Sequence, residues 1–149
     1  KLAGMGTTCT AVLVDNNLLH MAHIGDSRAY RIKNDVFEQL SADHTFVQRL
    51  IDEGRIQPED AESHPHKNVL MRVLGDVDAS PELDVATFET QPGERWMLCS
   101  DGLSNMMDDQ EILFEVVYGQ DKQHCCQRLL EIAKNRGAPD NVTSVLVAL

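Results

Sequence analysis

Positive charge is scarce in this chain. Its 24 aspartates and glutamates face 13 lysines and arginines, a formal net charge of −11 at pH 7. Nucleic-acid backbones need a basic footprint, so nucleic acid is excluded as the main partner. Aromatic residues make up only 5% of the chain, so a core must rest on Val, Leu, Ile, Ala and Met. No apolar run approaches about 18 residues, so no transmembrane helix is encoded. No secretory leader is read at its start, which makes the cytoplasm the expected location, with a membrane anchor outside this sequence left open. The four cysteines, Cys9, Cys99, Cys125 and Cys126, form no CxxC pair. That excludes the paired spacings of a zinc site or a disulfide framework and leaves reduced, buried thiols as the expectation. Internal repeats and low-complexity linkers are absent as well.

What is present is enough chain, 149 residues, for one domain with a real core. Thr7 to Val14 is rich in β-branched and small residues and predicts a strand. Asp15-Asn16-Asn17 is a turn signal, and Leu18 to Ile24 predicts the returning strand. Arg28 to Ile32 and Val36 to Leu40 predict a second pair across Lys33-Asn34-Asp35. Four strands joined by tight turns predict an antiparallel sheet.

The pattern changes at Asp43. Phe46, Val47, Leu50 and Ile51 recur at helical spacing, and Gly54 ends the run. Ile56 to Asp60 reads as a second helix start. Strands resume over Leu83 to Phe88 and Arg95 to Cys99. Asp108 and Glu111 match a capping box, with Ile112, Leu113, Val116 and Val117 on the buried side of the helix that follows. A further helix is predicted from about Lys122 to Asn135, with Gly137 at C′ and Pro139 barring continuation. Val142 to Leu149 is the closing strand. Strands, a helical insertion, strands, two helices and a strand make a layered α+β arrangement rather than a βαβ repeat.

The residues that carry chemistry are acidic turns at the ends of apolar strands. Asp101 follows Trp96-Met97-Leu98-Cys99, a nearly continuous apolar run expected to be central and buried on both faces. Asp140 precedes the last strand. Asp26 lies in Gly25-Asp26-Ser27-Arg28. Each has an ordinary reading as a turn residue, Asp26 with Arg28 as its ion-pair partner. The conjunction carries more. If the strands beside Asp101 and Asp140 are sheet neighbours, both carboxylates meet at one end of the sheet. Their repulsion raises a pKa unless a cation compensates. A divalent ion resolves that cost and makes a nucleophile of its bound water.

The order and wording of five segments resemble the metal-dependent protein serine/threonine phosphatases, the PP2C or PPM family, in its bacterial form. They are Gly6-Thr7-Thr8; His23-Ile24-Gly25-Asp26-Ser27-Arg28-Ala29-Tyr30; Asp43-His44; Ser100-Asp101-Gly102-Leu103; and Gly137-Ala138-Pro139-Asp140-Asn141-Val142-Thr143. The resemblance implies a layered α-β-β-α sandwich of antiparallel sheets flanked by helices. It also implies hydrolysis of phosphoserine and phosphothreonine by metal-activated water, without a covalent intermediate. Asp101 and Asp140 match the family's late metal ligands, and Asp26 matches the carboxylate near a third, weaker metal. The implied cofactors are Mn²⁺ or Mg²⁺. The implied partners are phosphoproteins, substrates of serine/threonine kinases. Asp43 to about Gly75 matches the flap beside the cleft, where His44, Thr45 and His66 are candidate substrate residues.

The family's early segments are absent. These are a phosphate-gripping Arg and an Asp-Gly-Met-Gly-Gly-His-type stretch whose Asp bridges two metals. Residues 1–149 are therefore expected to be the C-terminal portion of one such domain, incomplete at its N-terminus. Weak metal binding and little activity alone are expected of it. Uncovered sheet edges would favour a homodimer. The alternative is a catalytically silent module that binds phosphoproteins. An unrelated Mg²⁺- or Ca²⁺-binding domain has only the acidity behind it, without EF-hand spacing.

Overall fold

A computed structural model describes residues 4–75, 81–119 and 121–149. Strand β1 (Cys9–Asp15) turns through Asn16, at φ 53°, into β2 (Leu18–Ile24). Asp15 faces Leu18 across that hairpin and Cys9 faces Ile24. A positive φ suits Asn, and it gives the turn the twist a short hairpin needs. Strand β3 (Arg28–Lys33) turns into β4 (Val36–Gln39) through Asn34 and Asp35, at φ 50° and 60°.

The four strands do not make one sheet. β1 and β2 are joined by β5 (Asp84–Glu89) in the order β1-β2-β5. β3 and β4 are joined by β6 (Arg95–Cys99) and β7 (Ser144–Ala148) in the order β4-β3-β6-β7. The chain changes layers at Gly25-Asp26-Ser27. Gly25 has φ 108°, and a Cβ there would collide with Thr8. That backbone is open only to glycine, and it diverts the chain instead of folding it back as a hairpin.

Strand β6 is buried on both faces because it lies between two cores. Leu19, Met21, Ala29 and Trp96 fill the space between the sheets. Tyr30, Met97 and Cys99 point the other way, into a core shared with Leu103, Ile112, Val116 and Leu129. The period-two alternation of a strand makes this division. Helices form the third layer: α2 (Asp101–Ser104) against β6, α3 (Asp109–Tyr118) against β4, and α4 (Lys122–Asn135) against β7. The described residues thus supply three of the four expected layers. The outer face of β1-β2-β5 lies open, with Leu13 65% and Val85 72% exposed.

Local chemistry explains the helix ends. Asp108 and Glu111 form the reciprocal capping box of α3. Asp121 caps α4 by accepting from the His124 N–H, and Gly137 follows it at φ 78°. The one-turn α2 departs from the sequence reading, which took Asp101-Gly102 for a turn. Ser100 stands at its N-cap and Asp101 in its first turn, where a carboxylate favours the helix N-terminus. In the flap, Thr45 caps α1 (Phe46–Asp52). The expected second flap helix is only a 3₁₀ turn, Pro58–Asp60. Pro58 suits a first turn, but the polar stretch after it has no apolar stripe with which to extend one.

Two cysteines meet the expectation of burial. Burial pushes the Cys99 thiol up to about 12 and the Cys125 thiol up to about 11. Cys9 is exposed, because it lies on the open outer sheet, and Cys126 is half-buried.

Candidate functional site

The floor of the site is made where β6 and β7 end together. The two strands are antiparallel neighbours with Cys99 opposite Ser144, so the turns of Asp101 and Asp140 share one end of the sheet. Ser100 stitches them. Its N–H donates to the Thr143 carbonyl at 3.1 Å, and its Oγ accepts from the Thr143 N–H at 3.0 Å. Its hydroxyl donates to the Asn141 carbonyl at 3.2 Å. A Cβ on Gly102 would collide with that same carbonyl, so the close approach of the two turns requires glycine. Asp140 Oδ1 accepts from the Asn141 N–H at 2.6 Å.

Asp26 and Asp101 line one cleft of about 150 Å³, together with Arg28, Asp43, Thr45 and Lys67. Asp140 stands on the adjoining turn, off that lining. The Asp26 carboxyl is pushed up to about 6. Burial is the largest cause, followed by the negative charge of Asp101 and then Asp43. Arg28 is not its ion-pair partner, contrary to the sequence expectation. The Arg28 guanidinium forks onto Asp43, with Nη2 2.7 Å from Oδ2 and Nε 3.0 Å from Oδ1, and its Nη1 donates to Tyr30 Oη at 3.3 Å. Burial acts to lower the Arg28 pKa, but Asp43 and Tyr30 together outweigh it and the pKa rises, so the side chain stays cationic. Asp43 won the cation because it meets it in a forked geometry, the stronger arrangement for an arginine–carboxylate pair. Asp26 is left a crowded carboxylate facing Asp101.

Such a donor set is right in kind for Mg²⁺ or Mn²⁺, which favour carboxylate oxygens and water. It is short in number: among the described residues no three His, Cys, Asp or Glu side chains gather closely enough to enclose an ion.

The flap candidates part company. Thr45 is buried, lines the cleft and caps α1 through Oγ1, which accepts from the Gln48 N–H at 3.2 Å. His44 is 4% exposed and lies behind the cleft wall. Its Nδ1 accepts from the Gly25 N–H at 3.1 Å, so the proton resides on Nε2, which donates to Asp84 Oδ2 at 2.9 Å. Arg72 Nη1 holds the other oxygen of Asp84 at 3.0 Å. The His44 backbone N–H donates to the Gly25 carbonyl at 2.8 Å. His44 is thus a strut beneath the Asp26 turn. His23, whose ring lies 4.9 Å from that of His44, donates from Nε2 to the Ala42 carbonyl, and burial lowers its pKa. His66 is exposed beside His64 and Phe46, away from the cleft.

Sequence reasoning missed Asp43 as the partner of Arg28 and Lys67 as a cleft residue. Lys67 carried a signal, being the one cation between Arg55 and Arg72 in the flap.

Comparisons with known proteins agree with this geometry. A family profile described as Protein phosphatase 2C matches residues 1–136. The "Serine/threonine protein phosphatase PstP" of Mycobacterium tuberculosis is 46% identical over 145 residues, which is 97% of this chain and 28% of that protein. The crystal structure of the M. tuberculosis serine/threonine phosphatase PstP/Ppp superposes with a TM-score of 0.93 at 44% identity, covering 99% of this chain and 62% of that one. A structure of the PstP catalytic domain in complex with two manganese ions gives a TM-score of 0.84 at 42% identity, over 97% of this chain and 59% of that one. This chain therefore spans less than two thirds of each of these relatives. The chain belongs to the protein phosphatase 2C family.

Proposed function

We propose that this chain forms the later part of a metal-dependent protein phosphatase that hydrolyses phosphoserine and phosphothreonine. The observation that carries the reading is the pairing of Asp26 and Asp101 in one cleft, where the Asp26 carboxyl is raised to about 6 with its expected cation diverted to Asp43. A crowded carboxylate of that kind is suited to a divalent cation. Asp101, Asp140 and Asp26 are the residues that would hold Mn²⁺ or Mg²⁺. A metal bound there would lower the pKa of its water and neutralise phosphoryl charge. Asp101 and Asp140 are set by the β6–β7 register, Asp26 is propped by His44, and Thr45 with the flap limits the access of water and substrate.

Too few donors gather among the described residues, so further ligands and a phosphate-holding group would come from the remaining length found in the relatives. That makes residues 1–149 the C-terminal portion of one catalytic domain, with little activity alone. The shortage of donors also supports a second reading, a catalytically silent module that binds phosphoproteins. The open face of β1-β2-β5 favours self-association of the isolated chain.

The deciding experiment is p-nitrophenyl phosphate hydrolysis with millimolar Mn²⁺, comparing this chain with one extended upstream by about one hundred residues. Activity confined to the longer chain, and lost on Asp101→Ala or Asp140→Ala, supports the phosphatase. Inactivity in both favours the silent module.

A further inference from the structure

The cleft does not end at Asp101. It shares Arg28, Glu62, Ser104 and Asn105 with a hollow of about 820 Å³ between Pro58 of the flap and the α2–α3 junction. That hollow in turn shares Met107, Asp108, Gln110, Glu111 and Arg136 with a third, of about 450 Å³, which ends on Phe114 and Ile132. The three form one trough from the carboxylates to the outer side of α3.

Its chemistry is graded. The outer walls carry Glu62, Asp108, Asp109, Glu111 and Glu115. Glu111 is paired with Arg136 and Glu115 with Arg128, so Glu62, Asp108 and Asp109 carry the wall's negative charge. Arg28 is engaged on Asp43, and Lys67 lines the inner cleft beside Asp26 and Asp101. The far end adds apolar surface to these charges: Phe114 and Ile132 line it, and Tyr118 stands one turn beyond Phe114 on α3. Phe114 is 59% exposed and Tyr118 71% exposed, with their rings 5.0 Å apart. In a chain so poor in aromatics, with Trp96 and Tyr30 fully buried, two exposed rings on one helix face are an unspent anchor surface.

We propose that this trough docks the substrate of the phosphatase site, and that the substrate is a phosphorylated segment with basic residues near the phosphate and an apolar residue farther along for the Phe114–Tyr118 shelf. The inference rests on the phosphatase reading and adds a substrate class to it. The acidic walls repel a phosphate that arrives without cations. Flanking Arg or Lys reverses that repulsion and steers the segment along the trough. The rings give the segment a direction, because only the α3 end of the trough carries exposed aromatic rings.

The test uses the full natural protein containing this chain, with Mn²⁺, and fluorescently labelled peptides carrying a non-hydrolysable phosphonate in place of phosphoserine. One peptide has flanking arginines and a distal leucine. A second replaces the arginines with glutamates, and a third replaces the leucine with serine. The first is expected to bind about tenfold more tightly than the second, with the advantage shrinking as salt rises. Phe114→Ser should weaken the first peptide several-fold and leave the third unaffected. Gln110→Lys, an exposed change in the wall, should narrow the preference for arginine. Equal binding of the three peptides, or a preference for the acidic one, overturns the inference. Hydrolysis of p-nitrophenyl phosphate by the unaltered protein reads the underlying activity separately. Hydrolysis without peptide discrimination removes the docking trough alone. Discrimination without hydrolysis keeps the trough and removes the enzyme.

Discussion

Floor and flap hold their parts of the site by different means. At the floor, Asp101 and Asp140 hang from neighbouring strands whose ladder runs from Arg95 opposite Ala148 to Cys99 opposite Ser144. Ser100 adds further bonds beyond the ladder. Loss of any one leaves the others in place. In the flap, backbone pairing shrinks to isolated bridges, Thr45 with Leu70 and Thr7 with Leu74. The rest is carried by the His44 N–H bond to the Gly25 carbonyl and by single side chains: Arg28 on Asp43, and His44 on Gly25 and Asp84. Redundant backbone bonds set the floor, whereas individual polar side chains set the flap and the Asp26 turn beneath it. Changes at the floor should therefore show first in stability, and changes at the flap in how well the site is shaped.

The largest effect that would break this contrast is expected from Leu103→Ala. Leu103 is fully buried under the floor, in the helical core. The loss should be about 2–5 kcal/mol, measured by urea denaturation. A loss well below that range would mean that the floor is not braced by its core. A smaller stability effect, about 1–3 kcal/mol, is expected of His44→Ala, which leaves the buried Gly25 N–H without its acceptor. Its signature should be in the site: Mn²⁺ affinity of the full natural protein should fall by about tenfold or more, as for other supports of metal ligands. His44→Asn, which restores an acceptor for Gly25, should recover part of that affinity. If His44→Ala lowers stability alone and leaves Mn²⁺ affinity intact, the flap strut does not position Asp26.

The smallest effect is one of pH. The Asp26 carboxyl is raised in the folded chain from 3.8 to about 6. Its contribution to stability is thus fully present below about pH 4 and is lost as pH rises through about 6. Metal binds the ionised form and must displace a proton below that point. The gain in melting temperature that Mn²⁺ gives the full natural protein should accordingly grow between pH 5 and pH 7. Asp26→Asn should flatten that rise and should make the metal-free chain slightly more stable at pH 7. A pH-independent gain in the unaltered protein would show that Asp26 stays ionised throughout.

Much of the fold was legible because hydrophobic periodicity is local. The bounds read for β2, for β6 and for α4 coincide with the structure, and the Asp108–Glu111 capping box forms as written. What was not legible depends on contacts far apart in the chain. Arg28 took Asp43, fifteen residues away, in preference to the neighbouring Asp26, because geometry outweighed nearness. The division of four strands between two sheets rests on a single glycine turn at Gly25, which spacing alone cannot distinguish from a hairpin. The one-turn α2 has too few residues to show a period. The sharing of one cleft by Asp26 and Asp101 required knowing that β3 lies beside β6, a pairing that no local pattern encodes.

Trp96 has a consequence of another kind. It is the only tryptophan in the chain, fully buried between the two sheets against Phe88, at 5.5 Å between ring centroids. Its indole N–H finds no hydrogen-bond partner among the described residues. An indole so placed emits at the blue end of its range, and any parting of the layers admits water and moves the emission to the red. The molecule therefore carries its own optical gauge of whether its two sheets are in contact, and it can be read without adding a label.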